Sequence, residues 1–282
     1  MNKIKKVSLL DIEKKYKDRK SITMMTAYDY PGAIQVDESG VDIILVGDSL
    51  AMTVLGHPTT VSVTMEEMLH HCKAVSRGAQ RAFLVGDMPF LSYQADPAEA
   101  VRNAGRFLKE ANMDAVKLEG GRNVLSSIQA ILNVGIPVMG HLGLTPQTAT
   151  KLGGYRVQGK IVANAVRLLE DALALQEAGC FAIVLEAITA PVAKVITERL
   201  DIPTIGIGSG VDCGGQVLVY HDILGLYDQF VPKFVKQYAN LQDTIIDAIR
   251  EYREDVEQRT FPTDSHAFDM DDDEYERFLK AI

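Results

Sequence analysis

The sequence predicts an α/β protein of one domain, built as a (β/α)8 barrel, and three observations carry that reading. Eight short apolar runs recur along the chain, rich in Val, Ile and Leu and nearly continuous, as strands covered on both faces read. Amphipathic segments with helix start signals lie between them, and such alternation implies a parallel sheet. The chain has 282 residues, close to the roughly 250 that a barrel of this kind takes. Eight strands fit a closed barrel better than an open sheet.

The strand candidates follow in order. They are "SITMMTA" (21–27), "VDIILVGD" (41–48), "RAFLVGD" (81–87), "DAVKLEG" (114–120), "IPVMGH" (136–141), "CFAIVLE" (180–186), "IPTIGIG" (202–208) and "GQVLVY" (215–220). The intervening helices carry their own signals. Thr64 and Glu67 form a capping-box pair ahead of a stripe of Met68, Leu69, Cys72 and Val75. Asp96, Pro97 and Glu99 start another helix, with Val101, Ala104, Phe107 and Leu108 on one face. Residues 160–178 read as a long helix that stops at Gly179. Residues 230–256 read as one helix after a loop. The barrel domain, with its N-terminal extension, is expected over 1–260. Residues 261–282 are acidic and poorly periodic, and are expected to form a tail that is packed on the surface or partly mobile.

Composition narrows the function. A net charge of −9 disfavours nucleic acid and anionic membrane surfaces as partners. Three well-separated cysteines, Cys72, Cys180 and Cys213, form no CxxC pair, which argues against a disulfide framework or thiolate metal site and for a reducing compartment. The N-terminus has no apolar core of signal-peptide length, and no apolar run approaches the roughly 20 residues that span a bilayer. A soluble cytoplasmic protein is expected.

The informative pattern is positional. Five strands end on their C-terminal side in a chemically useful residue: Asp48 and Ser49 after the second, Asp87 at the third, Lys117 and Glu119 in the fourth, His141 in the fifth, Glu186 in the sixth. In parallel α/β folds these ends converge on one face, where catalysis sits. Lys117 and Glu119 are two residues apart, so they share a face of their strand and point into the barrel mouth, while Val116 and Leu118 face the helices. Burying charge there is costly unless it is paired or metal-bound. Asp48, Asp87 and Glu119 would repel one another, and a divalent cation relieves that repulsion. Oxygen-only ligands suit Mg²⁺ or Mn²⁺ rather than Zn²⁺.

Plainer readings exist for each residue alone. An Asp after a strand is commonly a turn former or helix cap. A buried Lys–Glu pair can be a structural ion pair. His141 can be a loop histidine, and Glu186 can start a helix. The coincidence across five strand ends favours a site. Tyr28 and Asp29, after the first strand, can line the pocket or cap a helix. His70 and His71 are adjacent on a helix and face different ways, which suits a surface role. "GIGSG" (206–210) is a weak phosphate-cradle signal without a full P-loop or GxGxxG context.

Six stretches together resemble the ketopantoate hydroxymethyltransferase family: "TAYDYPGA" (26–33), "LVGDSLAMTVLGHPTT" (45–60), "GDMPFLSY" (86–93), "VKLEGG" (116–121), "VMGHLGLTPQ" (138–147) and "IGIGSGVDCGGQVLVYHDILGL" (205–226). The resemblance implies a (β/α)8 barrel assembled as a homodecamer of two stacked five-subunit rings, with Mg²⁺ and 5,10-methylenetetrahydrofolate as one-carbon donor. The family's metal ligands fall on Asp48, Asp87 and Glu119. Its 2-oxo acid contacts fall on Asp48, Ser49, Asp87 and Lys117, and its proton acceptor on Glu186. His141 matches a pocket histidine and is a candidate proton donor. The implied reaction moves a hydroxymethyl group to 3-methyl-2-oxobutanoate through a Mg²⁺-stabilised enolate, forming 2-dehydropantoate for pantothenate synthesis. The chain departs from the family pattern within "SGVDCGGQ" (209–216), a loop near the barrel end.

Two other readings stay open at this point. A Mg²⁺-dependent lyase or mutase of the phosphoenolpyruvate mutase and isocitrate lyase kind uses the same barrel face. A catalytically silent barrel serving binding or assembly is the second.

Overall fold

Alternation of side chains along each strand divides the core in two. The computed structural model describes residues 5–226 and 231–282. Its strands are β1 (Ile22–Thr26), β2 (Ile43–Val46), β3 (Phe83–Asp87), β4 (Ala115–Glu119), β5 (Val138–Gly143), β6 (Ala182–Glu186), β7 (Thr204–Ile207) and β8 (Gly215–Leu218). They pair in parallel in chain order, and β8 returns to β1, so the barrel closes. Inward residues such as Met24, Ile43, Leu45, Phe83, Val85, Met139 and Val184 fill the barrel. Outward residues such as Ile44, Val46, Leu84, Val116, Leu118 and Leu185 pack under the helices.

The helices are α1 (Leu9–Lys17), α2 (Tyr30–Glu38), α3 (Leu50–Thr53), α4 (Met65–Gly78), α5 (Pro97–Ala111), α6 (Leu125–Asn133), α7 (Ala149–Leu152), α8 (Val162–Ala178), α9 (Ala190–Arg199), α10 (Tyr220–Leu224), α11 (Leu241–Gln258) and α12 (Asp272–Ala281). The expected start signals operate. The Thr64 hydroxyl accepts from Glu67 N while the Glu67 carboxylate accepts from Thr64 N. Asp96 caps α5, whose buried face is Ala100, Ala104, Phe107 and Ala111. Gly179, at φ +106°, ends α8 in the left-handed conformation that glycine adopts without strain.

Three segments differ from the sequence reading. The sequence reading assigns no element within the N-terminal extension, where α1 forms behind a Ser8–Asp11 capping box and buries Ile12 against the barrel interior. The helix expected over 230–256 begins only at Leu241; residue 230 lies outside the described residues. Tyr238 N and Ala239 N donate to the Ile223 carbonyl, so this stretch is tied across α10 and its backbone donors are not available to a helix. Pro232 also removes a donor there. The acidic tail is surface-lying but not irregular. Asp271 caps α12, and Arg277–Glu274 and Lys280–Glu276 pairs run along it.

The N-terminal end of the barrel is stapled by acids. Asp42 accepts from Thr23 N and from Lys15, and Asp114 accepts from Leu84 N. At the opposite end Gly86 lets α5 approach the strand that carries Asp87. A Cβ at Gly86 would stand 2.4 Å from Phe107 Cδ1. Gly86→Ala should therefore lower the unfolding free energy by about 1–3 kcal/mol through overpacking, measured by urea denaturation; unchanged stability would show that α5 yields freely.

Candidate active site

The barrel register brings the polar strand ends together. Asp87 pairs in register with Lys117, Glu119 with His141, and Gly143 with Glu186. Asp48 follows β2, and its backbone N donates to Asp87 Oδ2 at 3.2 Å. Asp48, Asp87, Lys117, Glu119 and His141 are all buried, while Glu186 is partly open to solvent. Gly143 makes the close passage of β5 and β6 possible: its φ is +99°, and a Cβ there would lie 2.1 Å from the Glu186 carbonyl oxygen.

Lys117 is the cation at the centre. Its Nζ lies 2.8 Å from Asp87 Oδ1 and 3.3 Å from His141 Nδ1. Burial opposes its charge, but Asp87, Glu119 and Asp48 outweigh burial and hold its pKa above the ordinary value. Burial, then repulsion from Asp87 and Glu119, pushes the Asp48 carboxyl well above its usual range. His141 stands between two carboxylates, with Nδ1 3.4 Å from Glu119 Oε1 and Nε2 3.2 Å from Glu186 Oε2. Burial and Lys117 act against its protonation, yet Glu119 and Glu186 win and raise its pKa to about 9.

The remaining expected residue, Ser49, is also at the mouth. Its hydroxyl lies 2.8 Å from the hydroxyl of buried Tyr28 and makes no cap hydrogen bond to α3. All six strand-end positions and Ser49 thus gather on one face. The other candidates separate from it. Asp29 caps α2 by accepting from Gly32 N. His71 bonds the Tyr28 carbonyl while His70 is exposed. In "GIGSG" the buried Ser209 hydroxyl accepts from Ile188 N and donates to the Leu185 carbonyl, so the loop ties β6 to β7.

Two buried residues that sequence reasoning missed complete the site. Gln147, in the 3-10 turn Pro146–Thr148, donates from Nε2 to Asp48 Oδ2 and from its backbone N to Glu119 Oε2. The Tyr93 hydroxyl lies 2.8 Å from Gln147 Oε1 and accepts from Glu119 N. Both lie in quoted motifs, "VMGHLGLTPQ" and "GDMPFLSY", but off the strand ends.

The donor set fits a hard divalent cation. Asp87 Oδ1 and Glu119 Oε1 are buried and have no hydrogen-bond partner. The Lys117 contact to Asp87 Oδ1 is a close ion pair outside hydrogen-bond geometry. Carboxylate oxygens held at this depth by ion pairs to Lys117 and His141 can turn to a cation, and oxygen-only coordination suits Mg²⁺. Among the described residues, no three acidic, His or Cys side chains already stand in ligand geometry. The carboxylates are instead drawn onto Lys117 and Gln147.

Comparison with known proteins decides the family. A profile of the family described as ketopantoate hydroxymethyltransferase matches residues 6–264. The chain belongs to the ketopantoate hydroxymethyltransferase family. The 3-methyl-2-oxobutanoate hydroxymethyltransferase of Syntrophobacter fumaroxidans is 59% identical over 254 residues, covering 90% of each chain. That of Carboxydothermus hydrogenoformans is 58% identical over 249 residues, covering 88% of this chain and 90% of its own. The protein is thus an enzyme, a hydroxymethyltransferase, and not a silent barrel. Among solved structures, phosphonopyruvate hydrolase in complex with oxalate and Mg²⁺ superposes with TM-score 0.61 at 12% identity, covering 99% of each chain. A 2,3-dimethylmalate lyase of the PEP mutase/isocitrate lyase superfamily gives 0.57 at 14%, covering 97% of this chain and 94% of its own. That likeness is one of fold. The lyase and mutase alternative shares the barrel, and the family match parts this chain from it.

The raised His141 pKa has a pH consequence for the metal-free protein. A folded pKa of about 9 against an ordinary 6.5 means its contribution to stability is full below 6.5 and lost as pH rises through about 9. Unfolding free energy from denaturant titration should fall over that interval, and His141→Asn should flatten the fall. A wild-type profile already flat there would mean that His141 is neutral.

Proposed function

We propose that the enzyme transfers a hydroxymethyl group from 5,10-methylenetetrahydrofolate to C3 of 3-methyl-2-oxobutanoate, forming 2-dehydropantoate in pantothenate synthesis. The observation that carries the chemistry is the His141 bridge. It sets Glu186 one imidazole away from Glu119, with contacts of 3.2 and 3.4 Å. One carboxylate is thereby held beside the prospective metal ligands and yet partly open, as a base requires.

Asp48, Asp87 and Glu119 would hold Mg²⁺. Bound there, the ion supplies Lewis-acid charge that makes the C3 proton of a 2-oxo acid easier to remove. The chain's own groups do the rest. The Lys117 ammonium faces the negative charge that develops on the 2-oxo acid. The Ser49 hydroxyl, fixed by Tyr28, orients the substrate carboxylate, and Asp48 and Asp87 would line the 2-oxo acid beside it. Glu186 takes the C3 proton. Hydrolysis of the folate's methylene bridge breaks both of its C–N bonds and frees the one-carbon unit as formaldehyde, whose oxygen comes from water; C3 of the deprotonated substrate then adds to its carbon and leaves an alkoxide. The His141 Nε2–H beside Glu186 is placed to give a proton to the departing folate nitrogen or to the new alkoxide. At the rim, the Tyr155 hydroxyl meets Met52 Sδ at 3.8 Å, a surface that suits a flat pterin ring.

Homo-oligomerisation, as the decamer that the family resemblance implies, is supported by α11. Its Ile245, Ile249, Tyr252 and Val256 form an exposed apolar stripe without a buried residue on the helix. A cytoplasmic setting is supported by the buried, free thiols of Cys72, Cys180 and Cys213. No described helix is long and apolar enough to cross a membrane.

Glu186→Gln should slow Mg²⁺-dependent exchange of the C3 proton with solvent by roughly 10²–10⁴-fold, leaving Mg²⁺ binding intact. NMR of 3-methyl-2-oxobutanoate in deuterated buffer measures this, with and without the folate donor for product formation. Exchange at the wild-type rate would remove Glu186 from its role as base.

A further inference from the structure

We propose that Gln147 is a positioning residue for the carboxylate cluster, holding one oxygen of Asp48 and one of Glu119 so that the other oxygen of each is left for a shared cation. The inference rests on the reading of Asp48, Asp87 and Glu119 as Mg²⁺ ligands.

Gln147 reaches the cluster from a turn rather than a strand. Pro146 opens the turn, Thr148 N donates to the Thr145 carbonyl, and the two threonine hydroxyls meet at 2.6 Å. The side chain is 4% exposed. Its amide is committed at every position. Nε2 donates to Asp48 Oδ2 at 3.0 Å and to the Met88 carbonyl at 2.9 Å. Oε1 accepts from Gln94 Nε2 at 3.2 Å and stands 2.8 Å from the Tyr93 hydroxyl. The Met88 carbonyl can only accept, so the amide cannot be turned over without losing that bond. The backbone N of the same residue holds Glu119 Oε2 at 3.1 Å. One residue therefore grips two acids that originate on β4 and after β2.

Tyr93 locks this grip. Its hydroxyl, 1% exposed at the residue level, accepts from Glu119 N at 3.0 Å and shares its proton between the Glu119 carbonyl and Gln147 Oε1. Ser127 holds the Tyr93 carbonyl in turn. The result is a closed network around one edge of the cluster. On the opposite edge Glu119 Oε1 and Asp87 Oδ1 lie outside hydrogen-bond geometry and face the cations His141, at 3.4 Å from Nδ1, and Lys117, at 2.8 Å from Nζ, rather than any neutral donor that would fix them. A core amide placed only for packing has no need to donate to a buried carboxylate. Outer contacts that orient ligand oxygens in this way carry a substantial part of metal affinity.

Isothermal titration of Mg²⁺ into substrate-free protein tests the proposal on wild type, Gln147→Met, Tyr93→Phe and the double variant, with circular dichroism to check folding. Gln147→Met keeps the length and apolar volume but cannot donate. It should weaken Mg²⁺ binding roughly 10–100-fold. Tyr93→Phe should weaken it by a smaller factor, and the double variant should fall short of the product of the two single effects, because the Tyr93 hydroxyl meets Gln147 Oε1 as well as Glu119. Folded variants that melt earlier but bind Mg²⁺ like the wild type would make Gln147 a packing residue and overturn the proposal. Should Gln147→Met not fold, Tyr93→Phe decides, with unchanged affinity overturning it. A wild type that binds no Mg²⁺ overturns the ligand reading and this inference together, whereas tight wild-type binding with unaffected variants overturns this inference alone.

Discussion

Lys117 and Asp87 meet at 2.8 Å in the barrel mouth, both almost fully shielded from water. Three buried carboxylates packed at one end of a barrel would drive each other apart or keep their protons. One ammonium in their midst offsets part of that repulsion, although the Asp48 carboxyl is still pushed well above its usual range. Breaking such a pair by removing one partner typically costs about 3–5 kcal/mol, because the remaining charge is stranded. The ammonium also sets the order of the site. Asp87 is drawn to Lys117, Asp48 is tied to Asp87 through its backbone N, and His141 lies against Lys117 on the other side. The cluster already holds positive charge of its own, so the site is not purely acidic.

Rigidity comes from where the groups are borne. Asp87, Lys117, Glu119, His141 and Glu186 sit on strands whose backbones are hydrogen-bonded to neighbours on both sides. Their side chains are aimed by the pleat and the register, so the groups are gathered at the mouth in advance, with the carboxylates resting on Lys117 and Gln147. Such preorganisation is what electrostatic stabilisation of a developing charge requires. The loops then add finer control. Gly143 admits Glu186 to the mouth, and the Pro146–Thr148 turn delivers Gln147 across to Asp48. The same residue type serves quite different ends at the two faces. Asp42 and Asp114, at the N-terminal side of their strands, staple backbone amides and lysines. Asp48 and Asp87, at the C-terminal side, are turned inward to a common point.

The sequence by itself determined the eight strands, the alternation that makes the fold class, and the five strand ends that bear polar side chains at one face. Period-two patterning assigns Lys117 and Glu119 to one face whatever lies beyond them, because that rule is local to the pleat. Capping signals at Thr64 and Asp96 are local in the same sense. Tertiary structure alone decided the rest. Gln147 and Asp48 are 99 positions apart, and Tyr93 and Gln147 are 54 apart, so no local pattern couples them. The late start of α11 follows from a bond between Tyr238 N and the carbonyl of Ile223, which belongs to another element. Barrel closure, with β8 returning to β1, turns strand ends that share a direction into ends that share a point. Local sequence sets which way each side chain faces, and only closure over long separations sets what it faces.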